Sequence, residues 1–191
     1  NIVVAGGMES MTNAPYMMAS GRHGYRYGNG ELADALVRDA LQDPYSKEMM
    51  GNSGDRCARK FNFSREEQDA FALESYRRAS EAYKNGWLSD ELFDVEIAGR
   101  GAYTFVKEDE EYKKLRADIV ATLKPAFGKD GTVTAVNASK INDGAAAMVL
   151  MSWAKVKELG LKPIAKIIGY GDAEQTPDDF TTSPALAMPK A

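Results

Sequence analysis

The segment Ser64-Arg65-Glu66-Glu67 fixes the start of a helix more firmly than any other stretch of this chain. A serine followed three residues later by glutamate forms a capping box: the Ser64 hydroxyl accepts from the backbone N–H of Glu67, and the Glu67 carboxylate reaches back to the N–H of Ser64. Glu66, Glu67 and Asp69 crowd the first turn, where the helix dipole favours negative charge. Ala72, Tyr76, Ala79 and Tyr83 then recur at helical spacing, and Asn85-Gly86 supplies a stop. The pattern predicts one long helix whose small and aromatic residues face a partner.

The surroundings of this helix predict an α/β layer rather than a helical bundle. NIVVAGG at the start reads as a buried strand running into a turn, and ELADALVRDALQD as a helix with Leu32, Leu36 and Val37 on one side and Leu41 at its end. LFDVEIA, TVTAV, AAAMVLM and PIAKIIGY read as strands, with WAKVKELG a short helix behind Ser152. Asn142-Asp143-Gly144 is turn chemistry. The residues KKLRADIVATLKPAF give no regular pattern. Ser183-Pro184 starts a helix after which the sequence stops within a turn, and the first residues already lie inside a strand, so both ends are expected to be interrupted elements of something longer.

Composition narrows the chemistry. A net charge of -4 argues against nucleic acid as a partner, because phosphate backbones are met by concentrated Lys and Arg. No run approaches the roughly 18 apolar residues of a membrane helix. The single cysteine, Cys57, has no partner within the chain for a disulfide and points to a reducing intracellular compartment. Cys57 and the single histidine, His23, lie in different settings: the first on a charged helical stretch, GDRCARKF, the second in a polar loop, RHGYRYG. A buried structural thiol and a solvated imidazole are the expectation for them, not a nucleophile and its base. Gly28-x-Gly30-x-x-Ala33 is a permitted form of the dinucleotide fingerprint, but the motif requires a strand before it, and a loop precedes it here. Lys113, Lys114 and Arg116 form a basic cluster able to meet phosphates or simply to face solvent.

Three long segments, VVAGGMESM, MMGNSGDRCARKFNFSREEQDAFALESYRRA and GTVTAVNASKINDGAAAMVLMS, resemble the thiolase family in the family's own order. The resemblance spans nearly the whole chain. It is strongest to the acetoacetyl-CoA thiolases, the acetyl-CoA acetyltransferases, with degradative 3-ketoacyl-CoA thiolases as the alternative. It implies a partial α/β thiolase-like fold with an α+β loop domain: residues 1–12 as the end of the first α/β half, 13–138 as the coenzyme A-binding loop domain, and 139–191 as the start of the second half.

What the resemblance implies for chemistry is binding without catalysis. Thiolases run a reversible Claisen condensation between two acyl-CoA thioesters through cysteine and histidine side chains carried on four motifs, Cys-x-Ser-Gly, Asn-Glu-Ala-Phe, Gly-His-Pro and Cys-x-Gly-Gly-Gly. None of these occurs in this sequence, so no catalytic residue is expected and the 191-residue chain alone should be inactive. Residues matching coenzyme A contacts are Leu41, Met50, Tyr76, Lys114, Leu115, Phe127, Ala135 and Ser139. Met49 departs from a frequent histidine before Met50-Gly51, and Lys114 replaces an arginine, which keeps charge but loses planar stacking. In potassium-activated members, the residues matching Tyr76, Ala135, Val136 and Ala138 hold the ion; whether this chain does is open. No other cofactor is implied. Acyl-CoA or CoA is the expected ligand, a homodimer or homotetramer the expected assembly, and neither nucleic acid nor membrane a partner. A non-catalytic CoA-binding or assembly module is the reading from another class.

Overall fold

The computed structural model describes all 191 residues and divides into two compact units, residues 1–53 with 141–191, and residues 54–140. The first unit is organised by one antiparallel ladder. Strand β1 (Ile2–Ser10) pairs with β6 (Asp143–Met151) over nine residues, from Ile2 opposite Met151 to Ser10 opposite Asp143. Gly6 is required here by close approach, because a Cβ on it would lie 2.5 Å from the carbonyl oxygen of Ala146. The alanines Ala145, Ala146 and Ala147 stand opposite Met8, Gly7 and Gly6, so the small residues of one strand meet those of the other.

Two shorter strands, β2 (Tyr16–Met18) and β3 (Leu32–Asp34), form a second ladder, followed by a wide π-helical turn at Val37–Leu41. The expected helix over ELADALVRDALQD therefore starts late. Asp34 ends β3, and its carboxylate accepts from the N–H of Leu36 at 2.9 Å, acting as the cap from which the helical turn begins. The chain then reverses between Gln42 and Met49, which bridge each other, around a buried Asp43 that accepts from the N–H groups of Tyr45 (2.9 Å) and Ser46 (2.7 Å).

Helix α1 (Met50–Phe61) leads into α2 (Arg65–Lys84). The capping box at Ser64 forms as the sequence predicts: Glu67 N–H donates to Ser64 Oγ at 3.1 Å, and Ser64 N–H to Glu67 Oε2 at 2.8 Å. Asn85 caps the other end, with Gly86 at a φ of 68° in the left-handed region. Strands β4 (Val95–Ala98) and β5 (Tyr103–Val106) make a hairpin covering the second half of LFDVEIA. The irregular KKLRADIVATLKPAF consists of 3₁₀ turns at Glu111–Lys114 and Ala117–Thr122. Ser152 caps the short α3 (Trp153–Glu158), and α4 (Ser183–Ala187) begins at the expected Ser-Pro.

Further expectations are corrected. NIVVAGG is not a buried strand running into a turn: β1 continues in its ladder through Gly6-Gly7 to Ser10, and none of its residues is buried. TVTAV is not a strand, because its N–H groups are taken by side chains instead of a neighbouring strand: Asp55 accepts from Thr132 and Val133, and Asn137 from Thr134. Asn142-Asp143-Gly144 is not a turn. Asp143 and Gly144 open β6, and the Asp143 carboxylate accepts from Thr12 N–H at 2.9 Å, which holds that carboxyl below the usual aspartate range. The turn lies earlier, at Ala135–Asn137. PIAKIIGY has no regular structure and joins none of the sheets, with Ile164 and Ile168 fully or nearly fully exposed.

Candidate functional site

Within the 54–140 unit, one face of α2 carries Gln68, Ala72, Ser75, Tyr76 and Ala79. This face, the Asp109–Tyr112 stretch and the Val133–Lys140 stretch enclose a cleft of about 780 Å³. Phe63 and Phe71 extend its wall with exposed aromatic surface. The volume lies within the range of small-molecule sites, and the mix of apolar wall with a few convergent polar groups is what such sites present.

Each wall has an identifiable support. The Asp109–Tyr112 wall is pinned to the end of α2 by stacking of Tyr112 on Tyr83, with centroids 5.0 Å apart, and by Asp109 N–H donating to the Tyr83 hydroxyl at 3.0 Å. The third wall rests on a buried polar network. Asp55, 3% exposed, accepts from Thr132 N–H (2.7 Å) and Val133 N–H (2.9 Å), while Thr134 is completely buried. Asn137 Oδ1 accepts from Thr134 N–H at 2.7 Å, and its Nδ2 donates to Asp69 Oδ1 and to the Thr132 carbonyl, both at 3.1 Å.

Asp69 in turn pairs with Arg65 at 2.7 Å, whose remaining donors satisfy the carbonyls of Val120 (2.9 Å) and Leu123 (3.0 Å). In a part-buried charge pair, filling the remaining hydrogen bonds offsets the cost of lost hydration. Two glycines admit the arrangement. A Cβ on Gly131 would fall 2.4 Å from the Asp55 carboxylate, and one on Gly54 would lie 3.1 Å from Val133 Cγ2.

Of the residues singled out from sequence, Tyr76, Val136, Ala138 and Ser139 line this cleft together. Ala135 begins the turn beside them, its carbonyl oxygen accepting from the ammonium of Lys140. Leu41 and Met50 lie in the other unit, on either side of the Gln42–Met49 bridge. Leu115 and Phe127 stand outside the cleft lining.

Lys114 also lies outside it, and its ammonium is held by Glu111 at 2.8 Å and Glu110 at 3.3 Å. The Glu111 and Glu110 hydrogen bonds push its pKa up. Arg116 is engaged by Asp118 at 2.7 Å, so the basic cluster is neutralised by its own neighbours. Lys140 is among the cleft residues that sequence reasoning passes over, with Gln68, Phe71 and Ser75; its position directly after Ser139 is the signal that points to it.

Cys57 is half-buried within α1, and His23 is exposed in a turn. The glycines at 28 and 30 are followed by β3 instead of a helix N-terminus, so the amides that would cradle a dinucleotide phosphate are not presented. No helix is long and apolar enough to cross a membrane.

Comparison with known proteins gives concordant matches. The family model described as thiolase, N-terminal domain, matches residues 1–154. A probable acetyl-CoA acetyltransferase of Dictyostelium discoideum is 56% identical over 99% of this chain and 46% of its own length. An acetyl-CoA acetyltransferase of Schizosaccharomyces pombe is 54% identical over 100% of this chain and 49% of its own. The crystal structure of Acat5 thiolase from Ascaris suum in complex with coenzyme A superposes with a TM-score of 0.90 at 46% identity, covering 98% of this chain and 48% of that one. The chain thus spans about half the length of the relatives it matches.

Proposed function

This chain belongs to the thiolase family, and from that premise we propose that its cleft receives the pantetheine and acyl parts of a coenzyme A thioester in an acetyl-CoA acetyltransferase. The observation that carries the reading is the cleft itself. Tyr76, Val136, Ala138 and Ser139, separated by up to 63 residues in sequence, come together on an apolar, aromatic-edged wall of ligand size. Small side chains at Ala138 and Ser139 let an extended ligand lie close to the backbone, while Phe63 and Phe71 offer apolar surface. The cleft suits the middle of the ligand better than its phosphates, since Glu67, Asp109 and Glu111 border it and Lys140 is the single basic residue lining it. The relative that was crystallised with coenzyme A supports the ligand class.

In this reading the chain supplies binding, and the condensation between an acyl-CoA and acetyl-CoA requires cysteine and histidine groups from motifs this sequence lacks. The whole protein acts as an acyltransferase on CoA thioesters, in a reducing intracellular compartment and as a homo-oligomer. Leu41, Met50, Lys114, Leu115 and Phe127 are further contacts to the ligand. Lys114 meets the nucleotide only by exchanging its Glu110 and Glu111 partners for phosphate.

The domain boundaries follow from the same premise. The inserted loop domain starts after residue 12. The β1–β6 ladder, together with a family match that runs to residue 154, supports counting β6 with the first α/β half instead of the second.

The test is a steric one in the protein at its natural length. Ala138→Leu places a large side chain on the cleft wall and should raise KM for acetoacetyl-CoA tenfold or more, about 1.4 kcal/mol or beyond, with kcat changed far less. An unchanged KM would remove the cleft as the substrate site. The 191-residue chain alone, mixed with acetoacetyl-CoA and CoA, should show no loss of substrate absorbance above background.

A further inference from the structure

In potassium-activated thiolases the residues matching Tyr76, Ala135, Val136 and Ala138 hold the ion, and the resemblance leaves open whether this chain does. The structure puts something else there. The ammonium of Lys140 donates to the Ala135 carbonyl oxygen and stands 5.6 Å from the centroid of the Tyr76 ring. Lys140 is half-buried and lines the same cleft as Tyr76, Val136 and Ala138. The residues therefore do not fit a potassium ion while this lysine is charged. A hard cation is held by converging oxygens, and the first of those oxygens already faces a fixed positive charge. A second monovalent cation at the same oxygen would meet the ammonium's like charge at close range, where repulsion persists even beside solvent.

We propose that Lys140 is a tethered replacement for a monovalent metal ion. An ammonium carries the same unit charge as potassium and has three N–H donors with no acceptor, so it can draw carbonyl oxygens and an aromatic face toward one point. Its anchor is the residue next to Ser139, on the stretch it braces. The bond to Ala135 closes the 135–140 segment on itself, and the approach to Tyr76 ties that segment to α2. The wall whose inner side rests on Asn137 and Asp55 is thus braced on its cleft side by a charge that cannot dissociate. A free ion would leave with dilution or exchange; Lys140 does not.

The inference concerns the construction of the wall and holds whether or not the cleft's ligand is a coenzyme A thioester. Its test uses the protein at its natural length, melted in potassium, sodium and choline chloride at equal ionic strength. The unmodified protein should melt at one temperature in all three salts and bind CoA with one affinity. Lys140→Met keeps the length and removes the charge. It should melt several degrees lower in choline, bind CoA at least fivefold more weakly, and recover part of both losses saturably with potassium, which then reaches the vacated carbonyl. Lys140→Arg should retain most of the stability in choline.

A saturable, potassium-specific rise in melting temperature of the unmodified protein overturns the proposal. So does Lys140→Met with unchanged melting temperature in choline. Failure of the unmodified protein to bind CoA would overturn the ligand reading of the cleft and leave the salt comparison to decide the role of Lys140.

Discussion

Asn137 makes hydrogen bonds in two directions, and the cleft wall depends on both. Its Oδ1 accepts from Thr134 N–H, while its Nδ2 donates to Asp69 on α2 and to the Thr132 carbonyl. Thr134 is completely buried, so an unpaired N–H there has no water to turn to. Each buried group left unsatisfied costs on the order of 1–3 kcal/mol. Asn137→Ala should therefore destabilise the protein by about 2–4 kcal/mol and weaken CoA binding with it, as read by thermal melting and isothermal titration. Asn137→Asp restores the acceptor but sets a carboxylate against Asp69, and should be no better tolerated than alanine.

Little of this was legible residue by residue. The turn chemistry of an Asn is visible in any sequence, but its partner Asp69 lies 68 residues away, and Asp55, which accepts from Thr132 in the same wall, lies 77 residues from that group. Local pattern carries no information on such pairs. The resemblance singled out Tyr76, Val136, Ala138 and Ser139, which line one cleft, and passed over Lys140, whose approach to Tyr76 across 64 residues of sequence is visible only in the fold.

Among the elements, α2 was the most legible because its signals are local: a cap, an acidic first turn and an Asn-Gly stop all lie within the helix or beside it. PIAKIIGY and TVTAV were misread for the opposite reason. A strand exists only with a partner, and β-like composition does not reveal whether one is available. Ser64→Ala should cost about 1 kcal/mol, seen as a lower melting temperature.

The same helix carries an acid-sensitive pair of contacts. Arg77 and Arg78 both bond Glu74, holding its pKa down to about 2. A carboxyl whose pKa is depressed on folding stabilises fully above its unfolded value and loses that contribution as pH falls toward the folded one. Stability should thus decline between the ordinary glutamate range and about pH 2, and Glu74→Gln should flatten part of that decline. Because the pair is largely solvated, added salt should shrink the difference between the two proteins. Melting curves across pH at two ionic strengths provide the check.

On the scale of the whole molecule, apolar surface is abundant. Val4, Met8, Met148 and Val149 on the β1–β6 ladder are 59–79% exposed, and Ile164, Ile168 and Tyr170 beyond it are 89–107% exposed. A two-stranded ladder is marginal by itself in water, and patches of this extent mark surfaces that other protein covers. The 191-residue chain alone should bind an apolar dye such as ANS strongly and associate at micromolar concentration, whereas the protein at its natural length should do neither. Fluorescence and sedimentation velocity distinguish the two cases. A dye-silent, monomeric 191-residue chain would show that these strands need no cover.

The β1–β6 ladder also sets a schedule. Thr12 and its partner Asp143 are 131 residues apart in sequence. At a translation rate of roughly 5–20 residues per second, β1 leaves the ribosome about 7–26 s before β6 is made. Through that interval the edge of β1 that β6 later takes stays open, and an unpaired apolar edge is prone to pairing with the wrong chain. The 54–140 unit is made in full before β6 and can close on itself in the meantime, since its buried network lies wholly between its own ends. Birth of this protein is therefore expected to depend on holding β1 apart until the late strand arrives, and slowing synthesis upstream of residue 143 should lower the yield of soluble product.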